Sequence, residues 1–113
     1  MTDRLDPGQG LQVNDSLASP NGQFSVVLQP DGNLVLNDQD GQPVWASGTD
    51  GRDVATATMQ EDGNFVLYSD ANEPVWASDT SGNNGASVVL QDDRNLVIYS
   101  AEGAALWATD TSA

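Results

Sequence analysis

Ser25 to Thr49 reads SVVLQPDGNLVLNDQDGQPVWASGT, and the same pattern returns twice further along the chain. Residues 56–80 read TATMQEDGNFVLYSDANEPVWASDT, and residues 87–111 read SVVLQDDRNLVIYSAEGAALWATDT. The three copies align without a gap at a spacing of 31 residues. All three tryptophans of the chain fall at one phase of this repeat: Trp45, Trp76 and Trp107. Such a fixed period indicates an architecture built from three equivalent units.

The periodicity inside each unit is that of β-strands. Apolar residues alternate over short runs such as Leu34–Leu36 and Val66–Tyr68, and turn-forming residues separate the runs. No window shows a convincing helical period. A single sheet cannot bury its face alone, so the three units must pack around a shared core that contains the tryptophans. The sequence therefore predicts one all-β domain over residues 1–113, shaped as a three-sided prism.

The segment before the first repeat is less informative. We expect residues 11–17 to form one further strand that completes the outer sheet, and residues 1–8 to be a frayed lead-in. No stretch approaches the ~20 apolar residues of a membrane span, so no membrane insertion is expected. No signal peptide is visible, and the compartment stays unknown, although we expect the protein to act outside the cell.

The composition excludes several classes of chemistry. Seventeen acids face three arginines, the net charge is −14, and the chain has no Lys, His or Cys. It therefore forms no disulfide or thiolate zinc site and carries no imidazole base, Schiff-base lysine or cysteine nucleophile. The missing basic residues also argue against nucleic acid as a partner. We expect no cofactor and no metal.

Polar residues recur within the repeat as Gln-x-Asp-x-Asn-x-Val-x-Tyr, at residues 29–37, 60–68 and 91–99. We call the three copies site 1 (Gln29, Asp31, Asn33, Val35, Asn37), site 2 (Gln60, Asp62, Asn64, Val66, Tyr68) and site 3 (Gln91, Asp93, Asn95, Val97, Tyr99). Alternate positions can face one side of a strand or hairpin. A carboxylate, two amides and a phenol around an apolar spot suit the hydroxyl array of a neutral sugar.

A purely structural interpretation stays open beside the binding one. Asp-Gly-Asn between two apolar runs is an ordinary hairpin-turn signal, which accounts for residues 31–33 and 62–64 without any ligand. It accounts less well for site 3, where Arg94 replaces the glycine while Asp93 and Asn95 remain. A turn also requires neither the preceding Gln nor the following Tyr.

The triplicated motif, with Trp-Ala-(Ser/Thr) closing each unit, resembles the bulb-type, snowdrop-agglutinin-like mannose-binding lectins over about residues 11–113. The resemblance implies a β-prism II fold of three four-stranded sheets with pseudo-threefold symmetry, no enzymatic activity and mannose-containing glycans as partners. It also implies roles in site 2: Asp62 and Asn64 hold the axial O2 of mannose, Gln60 reaches O3, Tyr68 reaches O4 and Val66 packs on the ring. The same roles fall to the matching residues of site 3.

Departures from the family pattern limit this transfer. Asn37 lacks the reach of a tyrosine, so site 1 is expected to be weakened or lost. The chain has no Cys for the disulfide that plant members usually have, which favours a source outside plants. Many relatives pair by exchanging the C-terminal strand, and residues 106–111 suit such an exchange. A homodimer is therefore expected.

Three alternatives compete with the lectin interpretation. A glycosidase needs only two carboxylates, but Asp31, Asp62 and Asp93 occur once per unit and form no pair. Calcium binding by the acidic clusters is disfavoured, because no EF-hand spacing fits. The serious alternative is a β-prism that serves as a protein-recognition or antibacterial, bacteriocin-like module with weak or lost sugar binding.

Overall fold

The computed structural model describes residues 2–112, and this part of the chain contains twelve strands and no helix. In chain order they are β1 (Arg4–Leu5), β2 (Gly10–Gln12), β3 (Ser16–Ala18), β4 (Ser25–Leu28), β5 (Leu34–Asn37), β6 (Pro43–Ala46), β7 (Val54–Met59), β8 (Phe65–Ser69), β9 (Pro74–Ala77), β10 (Ser87–Leu90), β11 (Leu96–Tyr99) and β12 (Ala105–Ala108).

The strands form three antiparallel sheets of four. Sheet I has the order β3-β4-β5-β6, sheet II the order β2-β7-β8-β9, and sheet III the order β1-β10-β11-β12. Each repeat thus supplies three consecutive strands joined by short turns. The predicted all-β prism of three four-stranded sheets is confirmed.

The fourth strand of every sheet comes from the segment that precedes the repeats. Leu5 pairs with Val88 in sheet III, Leu11 with Ala57 in sheet II, and Leu17 with Val26 in sheet I. The three leucines are buried, with 1–5% of their surface exposed.

Two sequence-based expectations were therefore wrong. The residues from Leu11 to Leu17 form two strands in two different sheets, and Arg4 and Leu5 form a paired strand within the expected frayed lead-in. Met1 lies outside the described residues. The reason is geometric: one short strand per sheet is enough to cover an edge, so a single segment can serve all three sheets in turn.

The core lies between the three sheets. Leucines such as Leu28, Leu34 and Leu36 point inward and are fully buried. The tryptophans, one from each repeat, meet with ring centroids 5.6–5.9 Å apart and rings nearly perpendicular, the edge-to-face geometry that aromatic pairs prefer. They are half-buried and pack against the core, as their shared phase predicted.

In the first two repeats, close packing explains why the hairpin turn contains a glycine. Gly32 and Gly63 have φ near +90°, and a Cβ at Gly63 would overlap the backbone of Asn83 in the following linker. In the third repeat Arg94 adopts φ 73° instead, and its Nε donates to the Thr111 carbonyl at 2.9 Å. The arginine side chain thereby attaches the turn of the third unit to the segment that follows β12.

Candidate functional site

The motif residues lie on the outer face of each sheet, opposite the core. The inward positions of β5, β8 and β11 belong to the core cluster, whereas the motif valines do not. These valines are nonetheless only 2–4% exposed: Val35, Val66 and Val97. Because they are covered on the outer side, they form an apolar floor beneath the polar side chains of their motif.

The motif aspartates stabilise the hairpin turn. Asp62 Oδ1 accepts a hydrogen bond from the backbone N–H of Asn64 at 3.0 Å, and the equivalent bonds in sites 1 and 3 measure 2.9 and 3.0 Å. The turn interpretation is therefore correct for one carboxylate oxygen. The aspartates are exposed, and their Oδ2 atoms make no hydrogen bond to the described protein.

The motif asparagines hold the strand that closes each unit. Asn64 Oδ1 accepts from the Ser78 hydroxyl and from the backbone N–H of Thr80, both at 3.3 Å. The Thr80 hydroxyl is buried, lies 2.7 Å from that of Ser78, and donates to the Gly63 carbonyl at 2.5 Å. Strand end, turn and asparagine are thus joined in one network.

The same network recurs in the other two units. Asn33 Oδ1 accepts from Ser47, Gly48 and Thr49, and Asn95 Oδ1 accepts from Thr109 and Thr111. Backbone N–H groups are donors only, so the amide oxygen must face them. The amide nitrogen is consequently left as a donor on the outer face, with no protein partner among residues 2–112. The Ser/Thr-x-Thr residues of this network were not predicted to belong to the site, although they repeat with the same period.

Sites 2 and 3 also contain a side-chain pair. Gln60 Nε2 donates to the Tyr68 hydroxyl, and Gln91 Nε2 donates to the Tyr99 hydroxyl. Each pair leaves the Gln oxygen as an acceptor and the phenol hydrogen as a donor. In site 1 of the described structure no hydrogen bond joins Gln29 to Asn37, so this pair is missing there.

None of the sites is a deep pocket. Clefts of about 710 and 410 Å³ adjoin the amino-terminal strands, and no motif residue lines either of them. Within residues 2–112 no group of three acids is gathered to hold a metal ion. The same residues include no helix with the length and apolarity to cross a membrane. The motif residues present a shallow surface with a fixed pattern of donors and acceptors.

Comparison with known proteins identifies the family. A monomeric monocot mannose-binding lectin from Gastrodia elata is 42% identical, with 99% of this chain and 100% of that chain covered at a TM-score of 0.90. The snowdrop (Galanthus nivalis) mannose-specific agglutinin, solved with methyl α-D-mannoside, is also 42% identical, with 98% of both chains covered at a TM-score of 0.79. The chain belongs to the family of bulb-type mannose-binding lectins, which are not enzymes.

Other relatives widen the range of assemblies. A Mycobacterium smegmatis lectin described as a domain-swapped dimer is 50% identical, covering 96% of this chain and 99% of that chain, at a TM-score of 0.59. The B-type lectin plumieribetin of Scorpaena plumieri is 42% identical over 55 residues. That match spans 49% of this chain and about half (47%) of the relative's length. No family model matches the chain.

Proposed function

We propose that the chain binds α-mannose and mannose-containing glycans through sites 2 and 3. The hydrogen bonds of the motif support this most directly, because they use only part of each Asp and Asn side chain. One atom of each Asp and Asn side chain is used by the fold, and the other is left free on the outer face.

The free atoms suit a single hydroxyl group. Asn64 Nδ2 donates and Asp62 Oδ2 accepts, so one sugar hydroxyl can receive from the first and donate to the second. An axial O2 places its hydroxyl away from the plane of the sugar ring, toward such a pair. Gln60 and Tyr68, already joined, offer an acceptor and a donor to the neighbouring O3 and O4. The ring carbons then rest over Val66.

The expected affinity is weak for each site. A shallow surface with a few neutral hydrogen bonds suits a Kd of about 1 mM, and repeated sites on one body gain by multivalency. Site 1 lacks the Gln–Tyr pair, so we expect it to bind poorly or not at all. Relatives described as mannose-binding or solved with a mannoside support the choice of sugar.

The first test is an NMR titration with methyl α-mannoside, with methyl α-galactoside as the control. We expect shifts confined to residues 60–68 and 91–99, and none with the galactoside, whose O2 is equatorial. The discriminating variants are Asn64→Asp and Asn95→Asp. Each keeps an acceptor for the closing strand and replaces the outward donor with a negatively charged acceptor, so it should silence its own site while the other still responds.

The contrary result would favour the alternative function. If no mannoside causes shifts at tens of millimolar, the motif serves only as turn scaffolding. The protein-recognition or antibacterial module would then be the better description. Shifts of equal size with methyl α-glucoside would contradict the proposed role of the axial O2.

A homodimer formed by exchange of β12 is part of the same proposal. In this structure β12 pairs with β11 of its own chain. The same pairing can form between two copies, and the M. smegmatis lectin described as a domain-swapped dimer supports that arrangement.

A further inference from the structure

Site 3 differs from site 2 in what lies beside its turn. Asp92, the residue between Gln91 and Asp93, accepts a hydrogen bond at Oδ1 from the backbone N–H of Asn21, at 2.8 Å. This contact attaches the β3–β4 loop, residues 19–24, to the turn that carries the motif of site 3. The neighbouring surface of site 3 is therefore supplied by a distant part of the chain.

Strand β1 forms a second wall beside the turn of site 3, opposite the β3–β4 loop. Leu90 N donates to the Asp3 carbonyl at 2.8 Å, and Arg4 pairs with Val89. Continuing this register places Thr2 opposite Gln91. Between the two walls lies the cleft of about 710 Å³, lined by Thr2, Asp3, Ala18, Ser19, Pro20 and Gly22.

The cleft has the size and chemistry of a sugar subsite. Its volume falls within the roughly 300–1,000 Å³ of small-ligand clefts. Pro20 and Ala18 supply apolar surface for the carbon face of a pyranose ring. The second carboxylate oxygen of Asp3 supplies an acceptor for its hydroxyls, and the Thr2 hydroxyl, which donates to the Arg4 carbonyl, keeps a lone pair as a further acceptor.

At site 2, other parts of the protein pack against the turn residues that correspond to Asp92 and Asp93. The Glu61 side chain lies against Gly8, and the Glu61 carbonyl accepts from Gly85 N at 3.3 Å. The Asp62 carbonyl accepts from Gly82 N and Asn83 N, so the linker covers this flank. The clefts of about 710, 410 and 320 Å³ are lined by other parts of the chain, and none of them is lined by residues 61–62 or 82–85.

We infer that this cleft is an extension subsite of site 3, which takes the next residue of an α-linked mannoside whose first residue occupies Gln91, Asp93, Asn95, Val97 and Tyr99. The inference rests on the proposed function. The subsite makes sites 2 and 3 different: site 2 binds a single terminal mannose, and site 3 binds at least two linked residues. A glycan longer than a monosaccharide should therefore prefer site 3.

The test compares methyl α-mannoside with an α-linked mannotriose in per-site NMR titrations. At site 3 we expect the trisaccharide to bind about tenfold more tightly, the gain that one or two additional hydrogen bonds bring. Site 2 should bind both ligands alike. The backbone amides of Thr2, Asp3 and Gly22 should shift with the trisaccharide only.

Variants that fill the cleft complete the test. Pro20→Trp fills it from the exposed loop and Thr2→Trp from the opposite wall, and each should abolish the trisaccharide gain while methyl α-mannoside still binds at site 3. Ala71→Trp, in the separate cleft beside Arg52 and Glu73, is the matched control and should retain the gain.

The outcomes separate the two proposals. Equal affinities of site 3 for the two ligands, or a gain that survives both filling variants, would overturn the subsite and leave the lectin function standing. Failure of the monosaccharide to bind site 2 and site 3 would overturn the function and the subsite together.

Discussion

At the scale of single residues, the motif side chains that stabilise the turn are the same ones that we propose bind the sugar. Asn64 uses its oxygen to hold the end of β9, and Asp62 uses one oxygen to hold the turn. These bonds fix the direction in which the remaining atoms point. A site whose groups are already held loses little side-chain freedom on binding, which favours affinity on a shallow surface.

Asn37 offers a gain-of-function prediction at this scale. We expect Asn37→Tyr to create mannoside binding at site 1, because a phenol there would hold Gln29 as Tyr99 holds Gln91. The cross-strand neighbours of Asn37 are Ser25 and Pro43, and those of Tyr99 are Ser87 and Ala105, so small residues flank both positions.

The measurement is the appearance of mannoside-dependent shifts at residues 29–37 in the variant. Asn37→Phe is the matched control, since it adds the ring without the hydroxyl and should stay silent. A silent tyrosine variant that retains the native spectrum elsewhere would show that Asn37 is not what limits site 1.

Single residues also show how much of the candidate site could be predicted from the sequence. The repetition located all fifteen motif positions, because polar residues repeated in three units stand out above ordinary turn residues. It did not reveal the part played by Thr49, Thr80 and Thr111. A threonine after Trp-Ala-(Ser/Thr) reads as an ordinary loop residue until its hydroxyl is found bound to the turn carbonyl of its own unit.

At the scale of secondary-structure elements, the amino-terminal strands are the part that the repeat could not predict. They are two or three residues long, so they carry no measurable alternation. One signal was present, namely Leu5, Leu11 and Leu17 at a constant spacing of six residues. This spacing fits neither a helix nor a continuous strand, and it corresponds to the step from one sheet to the next.

The leucines allow a prediction about stability. We expect Leu11→Ala to lower the free energy of unfolding by about 2–4 kcal/mol, because Leu11 is 5% exposed and its loss leaves a cavity behind β2. Val13→Ala, two residues away and 37% exposed, should change it by less than about 0.5 kcal/mol.

Urea unfolding followed by tryptophan fluorescence measures both variants, since the three tryptophans report on the shared core. Similar small changes in the two variants would mean that β2 adds little to the sheet it borders. The inward placement of Leu11 would then have no energetic weight.

At the scale of the whole molecule, the net negative charge of the chain opposes dimer formation. Each chain carries a net charge of −14, so two copies repel at low ionic strength. We expect a strand-exchanged dimer at micromolar concentration in about 0.15 M salt, where the screening length falls to about 8 Å, and a smaller dimer fraction in about 0.01 M salt.

Light scattering coupled to size exclusion gives the mass under both conditions. A chain shortened to end at Ala104, before β12, would lose a core tryptophan, so a gentler control is needed. Ala101→Pro stiffens the turn between β11 and β12 at a residue whose N–H donates no backbone hydrogen bond in the described structure, and should alter the monomer–dimer ratio without altering either sheet. A mass of one chain, 11.9 kDa, in about 0.15 M salt would contradict the dimer.

The order in which the strands pair has a consequence for how the chain folds. β3 pairs with its neighbour β4, β2 pairs with β7, and β1 pairs with β10. In the sequence these three pairings are nested one inside the other. During synthesis the sheet of the first repeat can form early, whereas β1, the earliest of the twelve described strands, has the longest delay before its partner is made. The slowest step of folding should therefore be the closure of β1 on β10, the strand pairing with the largest separation along the chain.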